Sequence, residues 1–150
     1  MKKIICALLL CCTLLSFAGC AMISYEDTNG DEDFTLQTLT EEDILDGGNS
    51  SEMLSSHVTV NNKSTYKAKS LSGVKVLYEK KLREETITFS LSSTVSKGNA
   101  RLVLASEDAI LHEFDLNKAD QSFTLENFTG RVFLRLAGES AEYSVSFSVS

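Results

Sequence analysis

The residues best suited to hold a ligand stand together in Arg131-Val132-Phe133-Leu134-Arg135. Along an extended strand, alternation puts Arg131, Phe133 and Arg135 on one face and Val132 and Leu134 on the other. Arg101, in Ala100-Arg101-Leu102-Val103-Leu104, takes the same kind of position in another strand. Guanidinium groups beside an aromatic ring suit stacking on a sugar together with hydroxyl or anion contacts. Arg101, Arg131, Phe133 and Arg135 are therefore the candidate ligand-binding set, and the competing reading is an ordinary solvated strand face. A second basic group, Lys63, Lys67, Lys69, Lys75, Lys80, Lys81 and Arg83, carries the same two readings.

Other reactive side chains point to no chemistry. His112 falls among the even positions of Ile110-Leu111-His112-Glu113-Phe114-Asp115-Leu116, with Ile, Phe and Leu, as a core or rim residue would. His57 reads as exposed. Two histidines without an HxxxH pattern give no transition-metal site. Asp27 to Asp33 has oxygen ligands at alternate positions, yet Glu32 stands where a calcium loop needs glycine and Thr38 where it needs a bidentate glutamate. Asp115 to Asp120 reads as a plain turn. No G-x-S-x-G elbow occurs, and the adjacent acids Glu84-Glu85 and Glu107-Asp108 do not by themselves form a catalytic pair. No catalytic residue, metal or cofactor is assigned.

The elements that would position these side chains are strands. Thr86 to Ser92 and Glu142 to Val149 alternate polar and apolar residues without fault. Val132, Leu134 and Leu136 line one face of another strand, and Phe123 and Leu125 one face of a shorter one. Residues 100–104 and 110–116 complete the later series, and 58–60, 66–68 and 74–78 suggest earlier strands. Strict alternation means one buried face and one wet face, the mark of antiparallel sheets. Turn signals at Lys97-Gly98-Asn99, Ser106-Glu107-Asp108, Asn117 to Asp120, Thr129-Gly130 and Gly138-Glu139-Ser140 recur at sandwich-like spacing. The expected fold is all-β, a small antiparallel β-sandwich of jelly-roll type over residues 57–150.

The N-terminus opens with Lys2 and Lys3, runs through apolar residues from Ile4 to Phe17, and closes on Ala18-Gly19-Cys20. This is signal-peptide patterning, too short for a span of about 20 residues. Ser16-Phe17-Ala18-Gly19-Cys20 resembles the lipobox of bacterial lipoproteins, with Phe17 where that family usually carries an aliphatic residue. The resemblance implies that Cys20 receives a diacylglyceryl group and becomes the mature N-terminus. Two acyl chains hold a protein stably on a bilayer, at about 0.8 kcal/mol per buried methylene. The four cysteines lie at positions 6, 11, 12 and 20, so the rest of the chain has no disulfide, Cys-based zinc site or thiol nucleophile.

Between lipobox and strands the charge is one-sided. Residues 21–56 hold ten acidic side chains and no Lys or Arg, whereas residues 57–150 hold eleven acidic and twelve basic ones. The acidic stretch, with its Gly and Ser, reads as a disordered tether over 20–56. Within it Thr40, Asp43 and Gly47 could cap a short turn through Leu45. The basic domain could also fold back on this tether. The organisation expected is a signal peptide at 1–19, a lipid-anchored tether at 20–56 and a β domain at 57–150. The function expected is an extracytoplasmic, membrane-anchored lipoprotein whose domain binds a glycan or protein without catalysis. An accessory subunit of a cell-envelope complex is the alternative, and a carboxylate-dependent hydrolase ranks below both. The partners implied are the membrane, through the lipid, and a glycan or envelope protein. Nucleic acid is excluded by the acidity and export of the chain. Ala21 after the cysteine points to the outer membrane if the host has one.

Overall fold

The computed structural model describes residues 36–150. The signal peptide, the lipobox and the 27–33 loop lie outside those residues. The fold is all-β and antiparallel, with one short helix. In chain order come α1 (Glu41–Asp46), β1 (Ser50–Met53), β2 (Ser56–Val60), β3 (Lys63–Ala105), β4 (Ile110–Phe114) and β5 (Gln121–Val149). β3 and β5 are far longer than the separate strands expected from sequence. Three of the expected turns, at 97–99, 129–130 and 138–140, prove to be bends inside these continuous strands. Of the expected turns, only those at 106–108 and 117–120 lie between strands.

The bends follow from local backbone geometry. Gly73, Gly98 and Gly130 have φ of +102°, +71° and +138°, and Glu84, Asn127 and Ser140 are also left-handed. At each the pairing register slips, as at a β-bulge, and the strand turns sharply. Register aligns these bends into two corners. Leu71 lies opposite Ala141, Gly73 opposite Gly138, and Asn99 opposite Glu139, so three strand segments turn together. Leu82 opposite Gly130 and Glu85 opposite Phe128 mark the second corner.

The corners divide the sheet into two facing halves. One half runs in the order β2, 63–68, 143–149, 87–95, 121–125. The other runs 74–82, 130–137, 100–105, β4, with β1 along the edge at 70–73. Ile87, Phe89, Leu91, Val145 and Phe147 of the first half meet Leu77, Leu102, Leu104, Leu134 and Leu136 of the second in one core. Burial of each such side chain contributes about 1.5–3 kcal/mol.

The second half is buried on its other face too. Val74, Val103, Ala105 and Ala137 form a separate cluster with Ile44 of α1, flanked by Leu36, Leu39, Leu45 and Ile110. Residues 36–56, expected as part of a disordered tether, are thus folded onto the domain, and the boundary at 56/57 does not hold. The reason is apolar: a second greasy face needs a cover, and Leu36, Leu39, Ile44 and Leu45 supply it. The capping signals within the segment are realised. Thr40 and Asp43 form a reciprocal capping box, and Gly47 closes the helix in the left-handed conformation.

The corners make a sharp demand on Gly98, where an added Cβ would lie 2.5 Å from the Glu139 carbonyl oxygen. Gly98→Ala is expected to lower stability by about 2–3 kcal/mol in urea unfolding. Gly48→Ala, at a position with nothing within 4 Å of the new atom, is expected to leave it unchanged.

Candidate functional site

Strand alternation puts Arg101, Phe133 and Arg135 on the face opposite the main core, as expected. That face is not open. α1 lies across it, and Arg135 is only 5% exposed. Its Nη1 donates to the carbonyl oxygens of Ile44, at 2.6 Å, and of Leu45. These are last-turn carbonyls that have no partner within the helix. The guanidinium also stacks over the Phe133 ring at 4.2 Å. Burial pushes the Arg135 pKa down, against the pull of Glu79 and Asp46. Its Nε is buried without a hydrogen-bond partner. Arg135 is thus a capping group for α1, and with Phe133 it is covered by the chain's own helix.

The other two arginines stay nearer the surface and are paired. Arg101 makes a two-pronged contact with Glu113, at 2.9 and 2.7 Å, and lies 3.7 Å from Glu41 of α1. Arg131 sits between Glu79 at 3.6 Å and Glu107 at 3.8 Å. The structure therefore brings Arg131, Phe133 and Arg135 together as the spacing predicts. It engages all of them, and Arg101, in intramolecular contacts. The apolar outward residues Val103, Ala105 and Ala137 were the available signal that this face carries a cover.

The segment before α1 is held by a carboxylate. Glu139, at the first corner, accepts from the backbone N–H of Gln37, Thr38 and Leu39 at 2.5–3.0 Å, and from the Thr38 hydroxyl at 2.7 Å. Backbone donation, led by Gln37, outweighs desolvation and holds its pKa down at about 2. The sequence marked Gly138-Glu139-Ser140 only as a turn. Nothing in the residue pattern distinguishes this acid from its neighbours.

A polar cluster closes the β1 edge. Burial alone would raise the Glu52 pKa, but hydrogen bonds from Lys75 and Tyr143, each 2.5 Å, bring it below its usual range. Burial pushes the Tyr143 hydroxyl far up, and the Glu52 contact adds to this. Lys75 also sits 5.3 Å from the centre of the Tyr66 ring, on which His57 stacks at 4.0 Å. The charges here are matched, and Tyr143 keeps its proton as the donor to Glu52. The expected Lys/Arg group is divided. Lys75 turns to Glu52, Lys69 pairs with Glu142 and Lys80 with Glu85. His112 is half-buried, stacked on Phe123 at 4.1 Å and edge-on to Phe114, and burial lowers its pKa. In the 115–120 turn, Asn117 Oδ1 accepts from the Val95 N–H at 2.7 Å and Gln121 bridges Asp115.

A second surface, open among the described residues, carries no motif in the sequence. The outer face of the first half-sheet is a field of hydroxyls. Register places Thr65, Ser146 and Ser92 in one row, Ser148, Ser90 and Ser122 in the next, and Ser144 beside Thr94. Rows are about 6.6–7 Å apart along the strands, and neighbours about 4.8 Å across them. Lys63 and Lys67 stand at its margin. A shallow depression of about 300 Å3 lies among Lys63, Ser90, Ser92, Ser122, Ser146 and Ser148. Two-residue alternation puts these serines on outward strand positions, but only register shows that they adjoin.

No protein-family model and no curated protein matches this chain. Among the described residues, no helix is long and apolar enough to cross a membrane, and no group of three His, Cys, Asp or Glu side chains is placed to hold a metal.

Two outcomes test the strap. The Glu139 pKa is depressed, so its contact is fully present above about 4.5 and lost as pH falls toward about 2. In an NMR titration the amides of Gln37, Thr38 and Leu39 should shift with a midpoint near 2, and Glu139→Gln should abolish that titration. Arg135→Ala leaves the Ile44 and Leu45 carbonyls unpaired, at a cost of about 1–3 kcal/mol. Hydrogen exchange in 41–46 should quicken by about fivefold or more. High salt should not mimic it, because the guanidinium is buried and its acceptors are uncharged backbone carbonyls.

Proposed function

We propose that this protein is a lipid-anchored, extracytoplasmic lipoprotein whose β domain is a non-catalytic docking module for a protein partner. The observation that carries the docking reading is the contrast between the two outer faces. The arginine–aromatic face, on which sugar stacking depended, is filled by α1. The face left open by the described residues is shallow and lined by serine and threonine. Hydroxyls donate and accept with little side-chain entropy to lose, which suits adaptable contact with a macromolecular surface. With Phe133 covered, a protein ligand is favoured over a glycan, and the accessory-subunit reading moves ahead. The anchor rests on the sequence of Ser16 to Cys20.

A photocrosslinking residue at Ser92 is expected to capture one envelope protein saturably, while the same residue at Glu107 captures none. Ser146→Arg, which drives a charged side chain into the hydroxyl rows, should suppress that capture with the fold unchanged. Saturable sugar binding lost in Phe133→Ala would overturn the protein reading in favour of a glycan. Turnover of a substrate abolished by a single Asp or Glu change would overturn the non-catalytic one. Mass spectrometry of the mature chain should find Cys20 as a diacylglyceryl-modified N-terminus; an unmodified residue, or cleavage elsewhere, removes the anchor.

A further inference from the structure

β2 is an edge strand without the usual protection. Among the described residues it pairs with β3 alone, on one side, and all five of its residues are exposed. Protected edges carry charges, proline, bulges or a cover. Among the described residues β2 has none of these: residues 53–62 read Met-Leu-Ser-Ser-His-Val-Thr-Val-Asn-Asn, with no formally charged side chain. The edge at β4, by contrast, carries Glu113 and a register break at 104/105. Val58 and Val60 are 56% and 60% exposed, and Met53 and Leu54 beside them 61% and 78%.

The hairpin fixes which backbone groups of β2 are free. Asn61 and Asn62 both have positive φ, +50° and +62°, as a two-residue type I′ turn requires. Val60 and Lys63, which flank that turn, form the hydrogen-bonded pair that closes it. By alternation Val58 and Ser56 also point their N–H and C=O groups at β3. His57 and Thr59 point theirs outward, to the unpaired side.

We propose that β2 is an association edge on which a second copy of this chain adds its own β2, antiparallel, across a two-fold axis at Val58. In that register His57 lies opposite Thr59 of the second copy, and Thr59 opposite His57. Both are residues with outward backbone groups, so four inter-chain hydrogen bonds form. Val58 meets Val58 at a non-hydrogen-bonded position, where facing side chains come closest. The choice of a second copy rests on this self-complementarity and on charge. Each chain carries a formal net charge of −7, so copies repel, and this charge-free strip is where they approach at least cost. Edge pairing of this kind joins the two five-segment half-sheets into one and leaves the hydroxyl face open.

The test is sedimentation equilibrium of the full-length chain in density-matched detergent, from about 10 to about 500 µM, the range for a small interface. Wild type should show a monomer–dimer equilibrium. Thr59→Pro deletes an outward N–H at an edge position that accepts proline, and should weaken the dimer at least tenfold. Val58→Lys, at an exposed site that cannot disturb the core, should do the same by placing two charges at the axis. Circular dichroism should be unchanged in both. A wild type that stays monomeric throughout overturns the proposal, as does a dimer that survives both substitutions. Crosslinking at Ser92 is independent of this result, so failure of one reading is distinguishable from failure of the other.

Discussion

The contact between Arg135 and the end of α1 depends on a constraint that shapes the whole domain: residues 132–137 have no water-facing side. Val132, Leu134 and Leu136 are committed to the space between the half-sheets, while Phe133, Arg135 and Ala137 point the opposite way and are equally buried. An arginine in such a place must find acceptors, because a charge buried without partners is strongly disfavoured. The last turn of a helix offers unpaired carbonyls of the matching polarity. α1 therefore serves two needs at once. Ile44 fills the apolar outer layer, and the Ile44 and Leu45 carbonyls satisfy Nη1 of Arg135. Glu139 completes the attachment by gathering three consecutive N–H groups just before the helix.

The corners set where that attachment can occur. A strand that ran straight through 138–140 would carry Glu139 away from the helix-bearing half. The left-handed residues at the first corner turn three neighbouring segments together, and Glu139 lies in that bend opposite Asn99. The same bend encloses the main core between two halves of one hydrogen-bonded sheet. Sheet closure, core formation and docking of the preceding segment thus share a few backbone positions, and side chains are tightly limited there.

The distribution of charge explains which surfaces remain open. Most basic groups of the second half-sheet and its rims are neutralised locally, Arg101 by Glu113, Lys75 by Glu52 and Lys80 by Glu85. The outer face of the first half-sheet has few charges to pair. It presents hydroxyl rows bordered by lysines and a neutral edge strand, surfaces that recognise by hydrogen bonding and shape rather than by long-range attraction.

The sequence by itself determined the all-β class, the inward residues of most strands, the capped turn at 40–47 and the spacing that puts Arg131, Phe133 and Arg135 on one face. These are local properties, readable from two-residue periodicity and capping chemistry. Only the tertiary structure decided that the turns at 97–99, 129–130 and 138–140 are bends within strands, because Gly98, Gly130 and Ser140 permit a left-handed residue whether the chain reverses or merely corners. It also decided that 36–56 belong to the domain. A segment rich in acids looks like a tether until its few apolar residues find a surface, and that surface exists only once 74–82, 100–105 and 130–137 lie side by side. Register did the rest: serines and threonines scattered from 65 to 148 are unremarkable along the chain and become one face through strand pairing.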